Sequence, residues 1–133
     1  MTDISKYLTE SRGVYELYDN NFPLFEQISI HEIRFISHGF DILIIFDLAQ
    51  FPSKVPKKWT LYNTIQIELL AIETKDLIFN SWVGLKPSDL IIVKNSDCLH
   101  VKLIGDDEFF SFRANFLSIS KISAYKNDLI KNN

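Results

Sequence analysis

The spacing of apolar and polar positions changes near residue 22, and the change divides the chain into two kinds of structure. Before it, Ile4, Tyr7 and Leu8, then Val14, Leu17 and Tyr18, fall at i, i+3, i+4 spacing, which predicts one or two short helices. Gly13 sits between the two sets and argues against one continuous helix, because glycine loses more backbone freedom than any other residue on entering a helix. Asn20, Asn21 and Pro23 end this lead-in of residues 1–22, since proline removes a donor and restricts the residue before it.

From there the period is two. In FDILIIFDL the residues Phe40, Ile42, Ile44, Phe46 and Leu48 face one side while Asp41 and Asp47 bracket the other, which predicts a strand. In QISIHEIRFI the pair Ile28 and Ile30 is out of phase with Ile33 and Phe35, and a bulge near His31 and Glu32 reconciles them. His38 and Gly39 are expected to turn this strand into the next as a hairpin. Farther on, Trp59, Leu61, Ile65, Ile67 and Leu69 share a face opposite Thr64, Gln66 and Glu68. Strand runs follow in DLIFNSW, DLIIVKN, CLHVKLI, EFFSFRAN and FLSISKISAY, separated by Gly84 and Pro87, by Asn95 to Asp97, and by Gly105 to Asp107. The expected fold is mostly β: an antiparallel meander of seven to eight strands forming a sandwich or open barrel, since the connections leave little room for crossover helices. Residues 126–133 form a polar tail.

Composition narrows the class. A chain of 133 residues fits a single domain, and folding at this size buries roughly 65 to 70% of the unfolded surface, enough for a core without metal or disulfide staples. Eleven Phe, five Tyr and two Trp supply large side chains for that core. A net charge of -3 and the absence of any basic run argue against nucleic acid and anionic lipid as partners. The lone Cys98 cannot form an internal disulfide, the first residues lack the apolar centre of a secretion signal, and no apolar run approaches bilayer length, so a cytoplasmic, membrane-free protein is expected.

Candidate chemistry is sparse. His31 with Glu32 and Arg34 could place a base beside a carboxylate, but strand neighbours point to opposite faces unless a bulge intervenes. Cys98, His100 and Lys102 share a face opposite Leu99, Val101 and Leu103, which reads as a solvent-facing row, too small for a zinc site. The turn Asp106, Asp107, Glu108 reads either as a solvated turn or as an acidic contact for a basic partner. There is no glycine-rich phosphate loop, paired CxxC, HExxH or nucleophile elbow, so no catalytic residue, metal or cofactor is expected.

The stretch FPSKVPKKW interrupts the strand pattern. Pro52 and Pro56 cannot donate ladder bonds, and Lys54, Lys57 and Lys58 keep the segment solvated, so it reads as a stiff charged loop that anchors the next strand through Trp59. The FDL strand, the proline loop with PKKW, Asn63, TIQIEL, Trp82 and the closing FRANFLSISKISAY together resemble the bacterial immunity protein 50 family, from about Phe22 to Tyr125. The resemblance carries over Pro56, Lys58, Trp59 and Asn63 as signature positions with a structural role, and Tyr125 as the aromatic end of the last strand. It implies a mostly-β cytoplasmic protein of polymorphic toxin systems that binds a cognate toxin domain and neutralises it by occlusion, without catalysis. Trp82, Tyr62 and the Asp106, Asp107, Glu108 turn are the candidate contacts, with a core position as the other reading of both aromatics and, for Trp82, the slightly weightier one. The alternative function is a small-ligand or carbohydrate-binding β domain with a mouth lined by Phe and Tyr. A third is a hydrolase with a dispersed site at His31 or His100, which requires an orienting group beside the imidazole.

Overall fold

Alternating apolar residues pay for strand backbone only when a neighbouring strand completes the hydrogen-bond ladder, so the fold is governed by which strands lie beside which. The computed structural model describes residues 4–38, 40–82 and 86–129. In chain order it contains a 3-10 turn (Ile4–Tyr7), β1 (Leu8–Thr9), α1 (Arg12–Leu17), β2 (Ser29–Ile36) and β3 (Asp41–Asp47). A second 3-10 turn (Lys57–Trp59), β4 (Thr64–Phe79), β5 (Asp89–Asn95), β6 (Cys98–Ile104) and β7 (Glu108–Tyr125) follow. The protein is mostly β, a seven-stranded open sheet in the order β2-β3-β4-β7-β6-β5, with every neighbouring pair antiparallel except β1, which lies parallel to β7.

Its spine is the hairpin of the two long strands, paired from Thr64 opposite Tyr125 to Phe79 opposite Phe110. β3 and then β2 flank the first half of β4, where Gln66 to Ala71 pair with Asp47 to Ile42. β6 and then β5 flank the first half of β7, up to Ala114. The additions fall on opposite edges and opposite ends of the hairpin, and the sheet rolls so that both halves bury side chains in one core. Ile42, Ile44, Phe46, Ile67 and Leu69 come from one half, and Leu90, Ile92, Val101, Leu103 and Phe112 from the other. The buried phase of β7 changes accordingly, from Phe110, Phe112 and Ala114 to Leu117 and Ile119. The ends of the rolled sheet meet where Ile28 and Ser88 exchange backbone bonds of 2.8 and 2.9 Å, and the sheet otherwise stays unclosed.

The bulge expected at His31 is present: Ile30 pairs with Phe46 and Glu32 with Ile45, leaving His31 as the additional residue. Other expectations need correction. DLIFNSW is not a separate strand; β4 continues through ETKD with a register shift between Lys75 and Ile78 and with Glu73 and Asp76 in left-handed backbone (φ 55° and 54°). EFFSFRAN and FLSISKISAY are likewise one strand. The lead-in is not purely helical, because β6 leaves β7 unpaired beyond Ala114 and Leu8 and Thr9 occupy that edge opposite Leu117 and Ser118. Gly13 lies inside α1, where a Cβ would come within 3.0 Å of Ile122 Cδ1; its smallness serves close packing of helix on sheet. α1 ends where Asp19 and Asn20 turn left-handed (φ 58° and 63°). Leu61 is not on the core face but 84% exposed, because β4 begins only at Thr64. Gly39 of the expected hairpin, Gly84, and residues 130–133 of the polar tail lie outside the described residues.

Candidate functional site

Because β3 pairs with β4 only as far as Ala71, the far half of β4 has a sheet neighbour on the β7 side alone. Its large apolar residues therefore remain at the surface. Phe79 is 44% exposed, and Trp82, just beyond the strand, stacks on it at 5.8 Å between centroids and 24° between planes. Phe79 also contacts the buried Phe110 (5.5 Å), and on the other side of Phe110 lies Phe35 of the edge strand β2 (6.1 Å). The result is an aromatic rim in which Phe35 and Phe79 rest on Phe110 and Trp82 rests on Phe79. Phe35, Phe40 and Leu77, all exposed, line an adjoining hollow of about 260 Å³. The expectation of Trp82 in the core is thus corrected: it is 54% exposed, and among the described residues no strand pairs with that end of β4 on the β3 side.

The acidic turn lies beside this rim. Asn80 N–H donates to the Phe109 carbonyl (2.9 Å) and its Nδ2 to the Glu108 carbonyl (3.4 Å), tying the residues before Trp82 to the start of β7. Asp106 pairs with Lys86 (3.2 Å) and Glu108 with Lys102 (3.6 Å), all exposed or half-exposed. The Asp107 carboxylate has no ion-pair partner among the described residues, while its carbonyl accepts the Gly105 N–H at 3.0 Å. The structure therefore sets the turn of Asp106, Asp107 and Glu108 at the end of β4 from which Trp82 emerges. Tyr62 is not with them: it is exposed before the opposite end of β4, separated by sixteen strand residues.

That opposite end holds the signature residues. Pro56 starts the turn whose Trp59 N–H reaches the Pro56 carbonyl (2.8 Å), and Trp59 packs partly buried against the core with Lys58 Nζ 5.8 Å from its ring centroid. Trp59 is thus in the turn and not in the following strand. Asn63 clamps the chain end: its Nδ2 donates to the Asn127 carbonyl (3.0 Å), and its Oδ1 accepts Asn127 N–H and Thr64 Oγ1 (both 2.8 Å).

A constellation missed in the sequence crosses four strands here. Asp47 is 5% exposed, and its carboxylate accepts from His31 Nε2 (2.6 Å), Gln66 Nε2 (3.3 Å) and the Tyr125 hydroxyl. Partial burial and the Asp47 carboxylate push the Tyr125 phenol above its ordinary range. The signals were the bulge that turns His31 aside and the phase that puts Asp47 opposite Phe46. Asp47 gives His31 the orienting group a general base requires, but the hydroxyl that joins them is a phenol held protonated, a poor nucleophile. The cluster fastens β2, β3, β4 and β7 together. His100 has no such orienting partner among the described residues, and Cys98 is buried instead of solvent-facing. No group of three or more His, Cys, Asp or Glu among the described residues could hold a metal ion, and no described helix is long and apolar enough to cross a membrane.

No curated protein and no solved structure matches the chain. The family described as immunity protein 50 does match, over residues 10–125. That span takes in the proline turn, the Asn63 clamp, the aromatic rim, the acidic turn and the closing Tyr125, and by this match the chain belongs to the immunity protein 50 family.

Proposed function

We propose that this protein is a cytoplasmic immunity protein of a bacterial polymorphic toxin system, which binds a cognate toxin domain and neutralises it by occlusion. Family membership supports an immunity role and a non-catalytic one. The observation that carries occlusion is the aromatic rim: Phe35 and Phe79 stand about half exposed against the buried Phe110, and Trp82, equally exposed, stacks on Phe79. Soluble proteins rarely leave large apolar side chains grouped at the surface unless a partner covers them, and aromatic residues dominate the energetics of such contacts. A sheet with a filled core presents them with little ordering cost on binding. The ligand-binding alternative needs an empty interior, whereas Phe25, Phe46, Phe109, Phe110 and Phe112 fill this one.

The test is co-expression with the toxin domain encoded beside this chain, scored by cell survival, followed by mixing of the purified proteins. Rescue with a stoichiometric complex is expected, and inhibitors of this kind reach dissociation constants down to roughly 10⁻¹³ to 10⁻¹⁶ M. Neither rescue nor complex would remove the proposal.

A further inference from the structure

The rim and the acidic turn are two halves of one recognition surface, and their chemistry specifies what it receives. We infer that the toxin presents a basic, arginine-bearing segment whose guanidinium stacks on Trp82 and reaches the Asp107 carboxylate; this rests on the toxin-binding reading above. Three observations carry it. Trp82 is held by its stack on Phe79 yet remains 54% exposed, so a flat apolar surface is already ordered before any partner arrives. The acidic turn follows in the same register, because Asn80, two residues before Trp82, bonds to the Glu108 and Phe109 carbonyls, and Asp107 precedes these directly in the chain. Their charge is only partly neutralised: Lys86 and Lys102 pair with Asp106 and Glu108, leaving Asp107 without an ion-pair partner among the described residues and the turn with one net negative charge there.

An aromatic face beside a carboxylate suits a guanidinium better than any other protein cation, since its plane stacks on the ring while its N–H fork addresses the oxygens. The same surface disfavours acidic segments and phosphate backbones. The two lysine pairs are exposed and open at little cost, so an incoming basic segment can displace Lys86 and claim Asp106 as well.

The experiment measures toxin-domain affinity and association rate, at low and high salt, for the wild type, Trp82→Ala, Trp82→Phe, Asp107→Lys and the remote control Phe116→Ala. Each variant's unfolding midpoint is checked first. Trp82→Ala is expected to weaken binding about 30-fold or more, the level of a central anchor, and Trp82→Phe to recover most of it. Asp107→Lys is expected to slow association about tenfold and to flatten its salt dependence, while Phe116→Ala stays within about twofold. If Trp82→Ala and Asp107→Lys both bind like wild type, the surface is wrong although the immunity reading stands. If Trp82→Ala weakens binding and Asp107→Lys does not, the partner is apolar and the arginine inference falls. The converse removes the stacking. A wild type that forms no complex removes the toxin reading, and this inference with it.

Discussion

Asn63→Ala tests whether the signature asparagine is an architectural clamp. Among the described residues its side chain bonds twice to the backbone of Asn127 and once to Thr64 Oγ1, and Thr64 is only 2% exposed. A hydrogen bond contributes about 0.5–1.5 kcal/mol net, and a buried group left without its partner costs about 1–3 kcal/mol. Asn127 is half-buried and water replaces part of what it loses, so the expected destabilisation is about 2–3 kcal/mol. With an unfolding entropy of about 2.1 cal/mol/K per residue over the whole chain, that lowers Tm by roughly 7–11 °C. Thermal and urea unfolding measure it, with an unchanged urea slope expected because the folded surface is the same. Removal of residues 127–133 should make the substitution much less costly, since both bonds to Asn127 are already gone. A Tm change below about 3 °C in the full chain, or equal costs with and without the tail, would refute the clamp.

Asp47→Ala removes the acceptor shared by His31, Gln66 and Tyr125 and should cost about 2–4 kcal/mol in urea unfolding, because hydrogen bonds to a charged group are the stronger kind. Tyr18 and Tyr125 should ionise late in a spectroscopic alkaline titration, Tyr18 because burial raises its phenol and Tyr125 through partial burial and Asp47. Tyr18→Phe and Tyr125→Phe should each delete one late phenol. As both folded pKa values lie above the unfolded one, their contribution to stability is complete below about pH 10 and fades as pH climbs toward the folded values. Trp82→Ala should change stability by less than about 0.5 kcal/mol, as for other surface positions, so a large loss would place Trp82 in the fold after all.

Much of the sheet was legible. Ile42, Ile44, Phe46 and Leu48 lie buried on one face as their spacing predicts, although Phe40 at the head of that stripe is 72% exposed in left-handed backbone before β3, and the phase slip between Ile30 and Ile33 located a bulge at the right residue, because strand side chains keep period two unless a residue is inserted. The merged strands were not legible. ETKD and Asn115 look like turn chemistry, yet they face one another across the β4–β7 hairpin, where Asn115 Nδ2 donates to Glu73 Oε2 (2.7 Å) and Arg113 lies 3.7 Å from Asp76. A polar pair across two strands reads in one dimension as two breaks. The Asp47 cluster was hidden for a related reason: its members lie 16, 19 and 78 residues from Asp47, and only the sheet order places them in one row.

The sequence by itself determined that the chain would be mostly β, that its apolar stripes would form a core, and that it carries none of the compact catalytic motifs. These properties follow from alternation and composition, which are local. Only the tertiary structure decided which apolar residues would stay outside the core. Phe79 and Trp82 are as hydrophobic as the core residues and continue a strand pattern, so nothing local distinguishes them. They are exposed because β3 ends its pairing at Ala71 and, among the described residues, the far half of β4 has no second strand neighbour. Burial belongs to pairs of elements, and the length of β3 relative to β4 leaves the aromatic rim beside the acidic turn.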